Sequence, residues 1–120
     1  MTKRDSLLFV YGTLMRGEAA HARLGQDARF VAAARTEPTF MLVDMGEYPA
    51  LVEGGRASVA GELYEVDDAI LSALDDYEEV PQMYERRSIE VGGQTALAYL
   101  LRPELANGLP VIASGDWRAR

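Results

Sequence analysis

The 120-residue sequence predicts an α+β fold that is mostly β, and three observations carry this prediction. Apolar runs of strand length recur along the chain and are interrupted by glycines and prolines. Only the stretch "DDAILSALDDYEE" combines a capping residue with apolar residues at helical spacing. The length is that of one ordinary domain, and no repeat period or low-complexity linker appears. We therefore expect residues 1–120 to form a single domain.

Seven runs are candidate strands. The first, "LLFVY", is a continuous apolar run that ends at Gly12, which is typical of a buried central strand. Four more follow: "ARFVAAARTE", "TFMLVDM", "PALVEG" and "ASVAGELYEV". The last two, "MYERRSIEVGG" and "TALAYLLRP", are joined by Gly92-Gly93, which predicts a hairpin. The pattern does not give the order of the strands in a sheet.

Two stretches are candidate helices. "EAAHARLG" (residues 18–25) is rich in helix formers and ends on glycine, which predicts a short helix. In "DDAILSALDDYEE", Asp67 or Asp68 is the candidate N-cap. The C-terminal segment "VIASGDWRAR" is expected to pack Val111, Ile112 and Trp117 onto the domain.

Composition narrows the classes of function. The formal net charge of -7 disfavours nucleic acid as a partner, because such binding depends on clustered Lys and Arg that neutralise phosphates. The absence of cysteine excludes disulfides, thiolate metal sites and a thiol nucleophile. A single histidine, His21, argues against a histidine-rich metal centre. We expect neither a metal nor a cofactor.

The start of the chain gives an expectation about location. "MTKRDSLLFVYG" has a short apolar run and no small-residue cleavage site, and no stretch approaches 18 apolar residues. We therefore expect a soluble, cytoplasmic protein that does not bind membranes, and we favour a monomer.

The stretch "ALDDYEEVPQMYERR" (residues 73–87) contains five carboxylates, and helical geometry separates one of them from the rest. At about 100° per residue, Leu71, Leu74 and Tyr77 share one apolar arc with Ile70. Glu78 falls inside this arc. The other three acids of the helix are interpreted as solvated charges, with Asp76 and Glu79 on the opposite side and Asp75 near the edge of the arc.

Two interpretations of Glu78 stay open at this point. A carboxylate held in a low-dielectric environment is costly for stability, but catalytic acid/base groups are tuned in this way. Alternatively, the helix has frayed by Glu78, and the side chain reaches water or pairs with Arg86 or Arg87.

Four motifs, "VYGTLMRG", "GEYPAL", "LDDYE" and "MYERR", resemble the γ-glutamylcyclotransferase-like superfamily in this order. The similarity is to its γ-glutamylamine cyclotransferase and small bacterial AIG2-like branch. It runs from about Leu7 to Tyr99, and the terminal "SGDW" is also similar. The resemblance implies a small, mostly antiparallel β-barrel with flanking helices.

The resemblance also implies an activity and a set of site residues. The activity is cyclisation of a small γ-glutamyl amide to 5-oxoproline, with release of an amine or an amino acid. The glutamate of the family's L-D-x-x-E motif is the catalytic acid/base, and it maps onto Glu78. A substrate-holding loop is implied at Tyr11, Gly12, Thr13 and Leu14. From the residues alone, Gly12 and Thr13 could equally end a strand in a turn, and Tyr11 could be a core aromatic.

Three further side chains are candidates for the substrate pocket. If "MYERR" is a strand, its two arginines point to opposite faces, and the family's Y-x-R pattern selects Arg86 together with Tyr84. Arg86 could bind the substrate's α-carboxylate, or it could form an ion pair with a carboxylate of the protein. Tyr48 could shape the pocket or only turn the chain. We assign His21 no role.

The sequence departs from several family members directly after the catalytic position. Those members have glycine there, whereas Glu79, Val80 and Pro81 follow here, which looks more like the γ-glutamylamine branch. An alternative within the same chemistry is removal of a γ-glutamyl group from a biosynthetic intermediate or a modified amine. An alternative from another class is a non-catalytic binding module that uses the same pocket for a small metabolite.

Overall fold

The computed structural model describes residues 5–120, so the first four residues of the "MTKRDSLLFVYG" segment lie outside the described part. All seven predicted strands and the predicted helix after Asp67 are confirmed. The strands are β1 Ser6–Val10, β2 Arg29–Arg35, β3 Phe40–Asp44, β4 Pro49–Glu53, β5 Ala60–Val66, β6 Tyr84–Val91 and β7 Gln94–Leu101. The α-helix α1 spans Asp68–Tyr77, and short 3-10 helices lie at His21–Leu24, Pro103–Ala106 and Trp117–Ala119.

The strands form one mixed sheet in the order β2-β5-β1-β7-β4-β3, and β6 pairs with β7. Because β6 pairs along the whole of β7, β1 and β4 share the opposite edge of that strand. Both are parallel to β7, with Leu8 opposite Leu97 and Leu51 opposite Leu100. The expectation of a mostly antiparallel barrel is therefore wrong, since the sheet is open and mixed. The α+β class is confirmed.

The helix α1 begins at a side-chain cap and packs one face on the core. Asp67 is the N-cap, and its carboxylate accepts a hydrogen bond from the Ile70 N–H at 2.9 Å. The helix buries Leu71 and Leu74 in the core that the sheet provides. Tyr77, which the helical pattern assigned to the same face, is 40% exposed.

Two local predictions are confirmed only in part. Residues 18–25 form only the 3-10 helix His21–Leu24, because a segment this short has little packing to support an α-helix. In the C-terminal segment Ile112 and Trp117 are buried, but Val111 is 56% exposed. Val111 does bridge Val43 at the edge of the sheet, so it contributes backbone pairing without burial. Within residues 5–120, no helix has the length and apolar character needed to cross a bilayer.

Candidate active site

A cleft of about 830 Å³, part of it open to solvent, lies between the loop after β1 and the C-terminal end of α1. Seven of the eight predicted site residues line it: Tyr11, Gly12, Thr13, Leu14, Tyr48, Glu78 and Tyr84. The other lining residues are Phe9, Val10, Pro49, Tyr77, Glu79, Met83 and Tyr99. The structure therefore brings together two motifs that are more than 60 residues apart in sequence.

Glu78 sits at the C-cap of α1, where its N–H donates to the Leu74 carbonyl at 2.8 Å. Its side chain is half-buried, and burial raises the pKa of its carboxyl from 4.5 to about 7. None of the ion pairs within residues 5–120 involves Glu78. The alternative of pairing with Arg86 or Arg87 is wrong, because these arginines pair with Asp75 and Glu53.

Two buried tyrosines flank this carboxylate. The Tyr11 hydroxyl donates to the Tyr99 carbonyl at 2.7 Å, and the Tyr84 hydroxyl lies 3.6 Å from the Met45 sulfur. Burial is the main cause that raises the pKa of both phenols, and the nearby charge of Glu78 adds to it. Both hydroxyls therefore remain protonated at neutral pH. The Tyr99 carbonyl already takes the Tyr11 proton, whereas the Tyr84 hydroxyl has only the long contact with sulfur and can donate to a ligand beside Glu78.

The loop after β1 requires glycine at its second position, Gly12. A Cβ atom on Gly12 would lie 2.6 Å from Cγ of Pro49, which is closer than packed carbon atoms approach. The Gly12 carbonyl accepts from the Met15 N–H at 3.0 Å and so closes a turn. Among the hydrogen bonds of residues 5–120, none uses the Thr13 or Leu14 N–H as donor. These N–H groups are free to bind an oxygen atom of a ligand.

The buried carboxylate of Glu62 supports the loop after β1 through hydrogen bonds. Glu62 on β5 is only 6% exposed, and its Oε1 accepts from the Arg16 N–H at 2.8 Å and from the Tyr64 hydroxyl at 3.0 Å. Its Oε2 lies 3.4 Å from the Arg118 guanidinium. Glu62 therefore connects the loop, the sheet and the C-terminal segment.

Arg118 directly follows the C-terminal "SGDW" segment and contacts the loop after β1 as well as Glu62. Arg118 pairs with Glu18 at 3.3 Å and donates to the Arg16 carbonyl, so it contacts the loop at two residues beyond the cleft lining. His21 also has a structural role, since its Nδ1 donates to the Leu14 carbonyl at 2.9 Å. These contacts fix the backbone on which the free N–H groups of the loop lie.

Arg86 is the one predicted site residue that is not among the residues lining the cleft. Its guanidinium lies 3.2 Å from Asp75 Oδ2, and the Tyr99 hydroxyl donates to Asp75 Oδ1 at 2.8 Å. Asp75 is therefore partly buried and paired, and its interpretation as a solvated charge is wrong. Because Asp75 lies about one helical turn before Glu78, this network holds the end of α1 against β6 and β7.

Sequence reasoning missed several residues of this region. Asp75 and Glu62 contact partners that are 24 and 46 residues away in sequence, which no local pattern reveals. One signal was available for Glu62, because it is a carboxylate directly between Gly61 and Leu63 in a predicted strand. For Tyr99, its place in the last apolar run was visible, but its proximity to α1 was not.

The chemical character of the cleft is aromatic and acidic. Five of its lining residues are tyrosines, its only carboxylates are Glu78 and Glu79, and no Lys or Arg lines it. Within residues 5–120, no group of three or more His, Cys, Asp or Glu side chains is arranged to hold a metal ion. The arrangement provides one acid/base group of near-neutral pKa, phenolic donors and free backbone N–H groups.

Comparisons with known proteins agree on one family. The model of the family "Gamma-glutamyl cyclotransferase, AIG2-like" matches residues 8–119. A Vibrio cholerae protein named "Putative gamma-glutamylcyclotransferase" is 44% identical over 114 residues, which is 95% of this chain and 96% of that protein. The mouse "Gamma-glutamylaminecyclotransferase" is 41% identical over 92 residues, covering 70% of this chain and 62% of the mouse protein.

A solved structure supports the same relationship. The crystal structure of an AIG2-like protein from mouse superposes with a TM-score of 0.78 at 32% identity, over 90% of this chain and 86% of that chain. The matched family region also includes both the loop after β1 and the end of α1 that form the cleft. The chain therefore belongs to the AIG2-like gamma-glutamyl cyclotransferase family.

Proposed function

We propose that this protein cyclises a γ-glutamyl amide to 5-oxoproline and releases the amine, with Glu78 as the general acid/base. The observation that carries the proposal is the position of Glu78. It is a half-buried carboxylate without an ion-pair partner in the described part of the chain, and it lines the same cleft as the loop of residues 11–14. The names of the Vibrio cholerae and mouse relatives support this activity.

In this reaction the α-amino nitrogen of the substrate attacks the γ-carbonyl carbon of the same molecule. The α-ammonium must first lose a proton, and Glu78 accepts it. The new N–C bond forms, the bond to the leaving nitrogen breaks, and Glu78 returns a proton to that nitrogen. Two protons move in all, because the α-ammonium becomes a lactam N–H and the leaving amide nitrogen becomes an ammonium, and Glu78 accepts and returns them one at a time. No other reactant is required.

A pKa of about 7 suits a group that must both accept and donate a proton near neutral pH. A carboxyl with an ordinary pKa of 4.5 would hold too few protons to protonate the leaving nitrogen efficiently. The burial that raises the pKa of Glu78 is therefore useful for the second proton transfer.

The cleft contributes binding and orientation. Nucleophile and electrophile belong to one flexible molecule, and holding them together corresponds to effective molarities of about 10⁵ to 10⁸ M in well-oriented systems. The loop offers two free N–H groups, those of Thr13 and Leu14, so one can bind the γ-carbonyl oxygen as it gains charge and the other remains for the α-carboxylate. Tyr11, Tyr48 and Tyr84 are proposed to enclose the glutamyl chain.

The substrate's α-carboxylate has two candidate partners. Arg86 remains a predicted ligand, but binding there would require it to leave Asp75, which it contacts at 3.2 Å. Backbone N–H groups of the loop after β1 need no such rearrangement. The geometry therefore favours the loop as the carboxylate site and Arg86 as a positioning residue for the end of α1.

The test is to incubate the protein with γ-glutamyl amines and γ-glutamyl amino acids and to measure 5-oxoproline by mass spectrometry. Wild type should release 5-oxoproline, and Glu78→Gln should lower kcat by about 10² to 10⁴-fold because it removes the proton acceptor. The pH dependence of kcat/KM should show an acidic limb near pH 7, where Glu78 ionises.

Binding measurements separate loss of chemistry from loss of the pocket. Glu78→Gln should bind the substrate by calorimetry without turning it over. Substrate that binds to wild type without yielding product would favour the binding module, and equal product from both proteins would remove Glu78 from the mechanism. An acidic limb near pH 4.5 would contradict a role for a carboxyl of raised pKa.

A further inference from the structure

His21 is the single histidine of the chain, and its ring donates to the loop after β1. It begins the 3-10 helix His21–Leu24, and its Nδ1 lies 2.9 Å from the Leu14 carbonyl oxygen. A carbonyl oxygen can only accept, so Nδ1 must carry a proton. The ring is half-buried beside Tyr64, with 5.8 Å between the two ring centroids. These contacts hold the ring with its donor directed at the loop.

This bond is the first step of a hydrogen-bond chain through the peptide units of the loop. The Leu14 carbonyl shares a peptide unit with the Met15 N–H, which donates to the Gly12 carbonyl at 3.0 Å. The Gly12 carbonyl in turn shares a peptide unit with the Thr13 N–H, which donates to no group within residues 5–120. In a trans peptide unit the N–H points away from the C=O. The chain therefore runs in one direction, from the imidazole of His21 to the free Thr13 N–H.

Such a chain orients and polarises its last donor. A carbonyl that accepts a hydrogen bond draws electron density from its own peptide unit, which makes the N–H of that unit a stronger donor. Each bond also restricts rotation of its peptide unit, so the Thr13 N–H has a fixed direction before a ligand arrives. Thr13 lines the cleft, and a fixed backbone N–H suits an oxygen atom that gains charge during a reaction.

The second free N–H of the loop is oriented without a side chain. The Leu14 N–H shares a peptide unit with the Thr13 carbonyl, which accepts from the Ala20 N–H at 2.9 Å. Because that donor belongs to the backbone, a substitution of His21 leaves this bond in place. Within residues 5–120, His21 has the only side chain that donates to a carbonyl of residues 11–14. The two N–H groups can therefore be separated by experiment.

We propose that His21 is a positioning residue that directs the Thr13 N–H to the γ-carbonyl oxygen of the substrate and strengthens it as a donor. The inference rests on the proposed function, because it assigns this N–H to the oxygen that gains charge during cyclisation. His21 is not among the residues that line the cleft, so it acts through the loop. Since the oxygen is more negative in the transition state than in the substrate, the effect should appear mainly in kcat.

The test compares two substitutions that separate the donor from the ring. His21→Phe keeps a ring beside Tyr64 but has no donor. His21→Asn loses the ring but keeps a donor, because its Nδ2 lies as many bonds from Cα as the Nδ1 of histidine does. With a γ-glutamyl amide as substrate, kcat should fall by about three- to tenfold in His21→Phe, at nearly unchanged KM. In His21→Asn, kcat should stay within about twofold of wild type.

The amide proton of Thr13 gives a second readout that needs no substrate. Loss of polarisation should move its NMR chemical shift upfield in His21→Phe, whereas the shift in His21→Asn should stay close to that of wild type. The Leu14 amide proton is the internal control and should move less, because the Ala20 N–H still orients its peptide unit. Urea denaturation shows whether both variants are folded under the conditions of the assay.

Several outcomes would overturn the inference while wild-type product upholds the proposed function. One is a kcat in His21→Phe equal to that of wild type. Another is an equal fall of kcat in both variants, since the ring and not the donor would then matter. A loss confined to KM, or a loss of kcat with an unmoved Thr13 shift, would also overturn it. If wild type cyclises no γ-glutamyl amide, the proposed function fails, and the Thr13 shift alone then decides whether the chain from His21 exists.

Discussion

Two carboxylates that are sheltered from water behave differently in this protein. Glu62 is 6% exposed and accepts hydrogen bonds from the Arg16 N–H and the Tyr64 hydroxyl, with Arg118 beside it. Glu78 is half-buried and has no ion-pair partner among the described residues. Burial alone raises the pKa of Glu78 to about 7.

The difference shows that a buried carboxylate can either stabilise the fold or act as an acid/base group, depending on its hydrogen-bond donors. A buried carboxylate with several donors is stabilised as an anion and becomes a fixed part of the structure. A carboxylate that loses water without gaining donors exchanges its proton more easily near neutral pH. Glu62 therefore holds the loop of the cleft in place, and Glu78 is the carboxylate that we propose to react.

The largest effect on stability is expected where the paired carboxylate is removed. Glu62→Ala leaves the buried Tyr64 hydroxyl and the Arg16 N–H without their acceptor, and it removes one of the two ion-pair partners of Arg118. We expect the free energy of unfolding to fall by about 2 to 4 kcal/mol, measured by urea denaturation. KM should also rise, because the loop after β1 loses its support.

Glu65→Ala is the matched control on the same strand. Glu65 pairs with Arg29 at 2.9 Å, a shorter distance than that between Glu62 and Arg118, but its side chain is 42% exposed and that of Arg29 is 67% exposed. Because solvent screens this pair, Glu65→Ala should lower the free energy of unfolding by less than about 1 kcal/mol. Equal losses in the two variants would show that Glu62 is no more important to the fold than a surface charge.

The second prediction concerns Glu78 and the way it makes the free energy of unfolding depend on pH. The pKa of Glu78 is raised by folding, so its favourable contribution is complete below pH 4.5 and is lost as pH rises through about 7. Glu78→Gln cannot ionise and escapes this loss. Relative to wild type, the variant should gain about 1 to 3 kcal/mol of unfolding free energy between pH 4.5 and pH 8, allowing for partial exposure.

Denaturation curves of both proteins at several pH values between 4.5 and 8 provide the measurement. Asp76→Asn, which makes the same change of charge at an exposed position, controls for general electrostatic effects. A difference between Glu78→Gln and wild type that does not change with pH would show that the environment of Glu78 does not disfavour its charge.

The sequence predicted the local features of the fold and of the cleft. The apolar runs gave all seven strands, and helical spacing singled out Glu78 because Leu71 and Leu74 fix which face of α1 is buried. The pairing of strands was not predictable from the residues. A strand such as β7 has the same apolar pattern whether its neighbours are parallel or antiparallel, so the family resemblance supplied the closed barrel that the structure corrects.

The partners of charged side chains could not be predicted from local sequence patterns either. Asp75 lies near the edge of the apolar arc and has the pattern of a solvated residue, yet Arg86 and Tyr99 reach it from β6 and β7. Such contacts depend on how α1 is placed against the sheet, which is a long-range property. Helical periodicity therefore identified Glu78 as a residue that faces inward. It did not identify the contacts of Asp75 with Arg86 and Tyr99, which hold the end of α1 in position.

The smallest effect is expected at Glu79, a carboxylate that is neither buried nor paired. Its cost to stability comes from the left-handed backbone, so Glu79→Gly should raise the free energy of unfolding by about 0.5 to 1 kcal/mol, because the relief of strain outweighs the entropy that glycine loses. Glu79→Ala removes the same carboxylate but keeps a Cβ atom at φ 53° and should change stability little. Urea denaturation of both variants is the measurement, and equal gains would assign the effect to charge instead. A gain confined to glycine would mean that the left-handed backbone at the end of α1, and not the charge of Glu79, is what costs stability there.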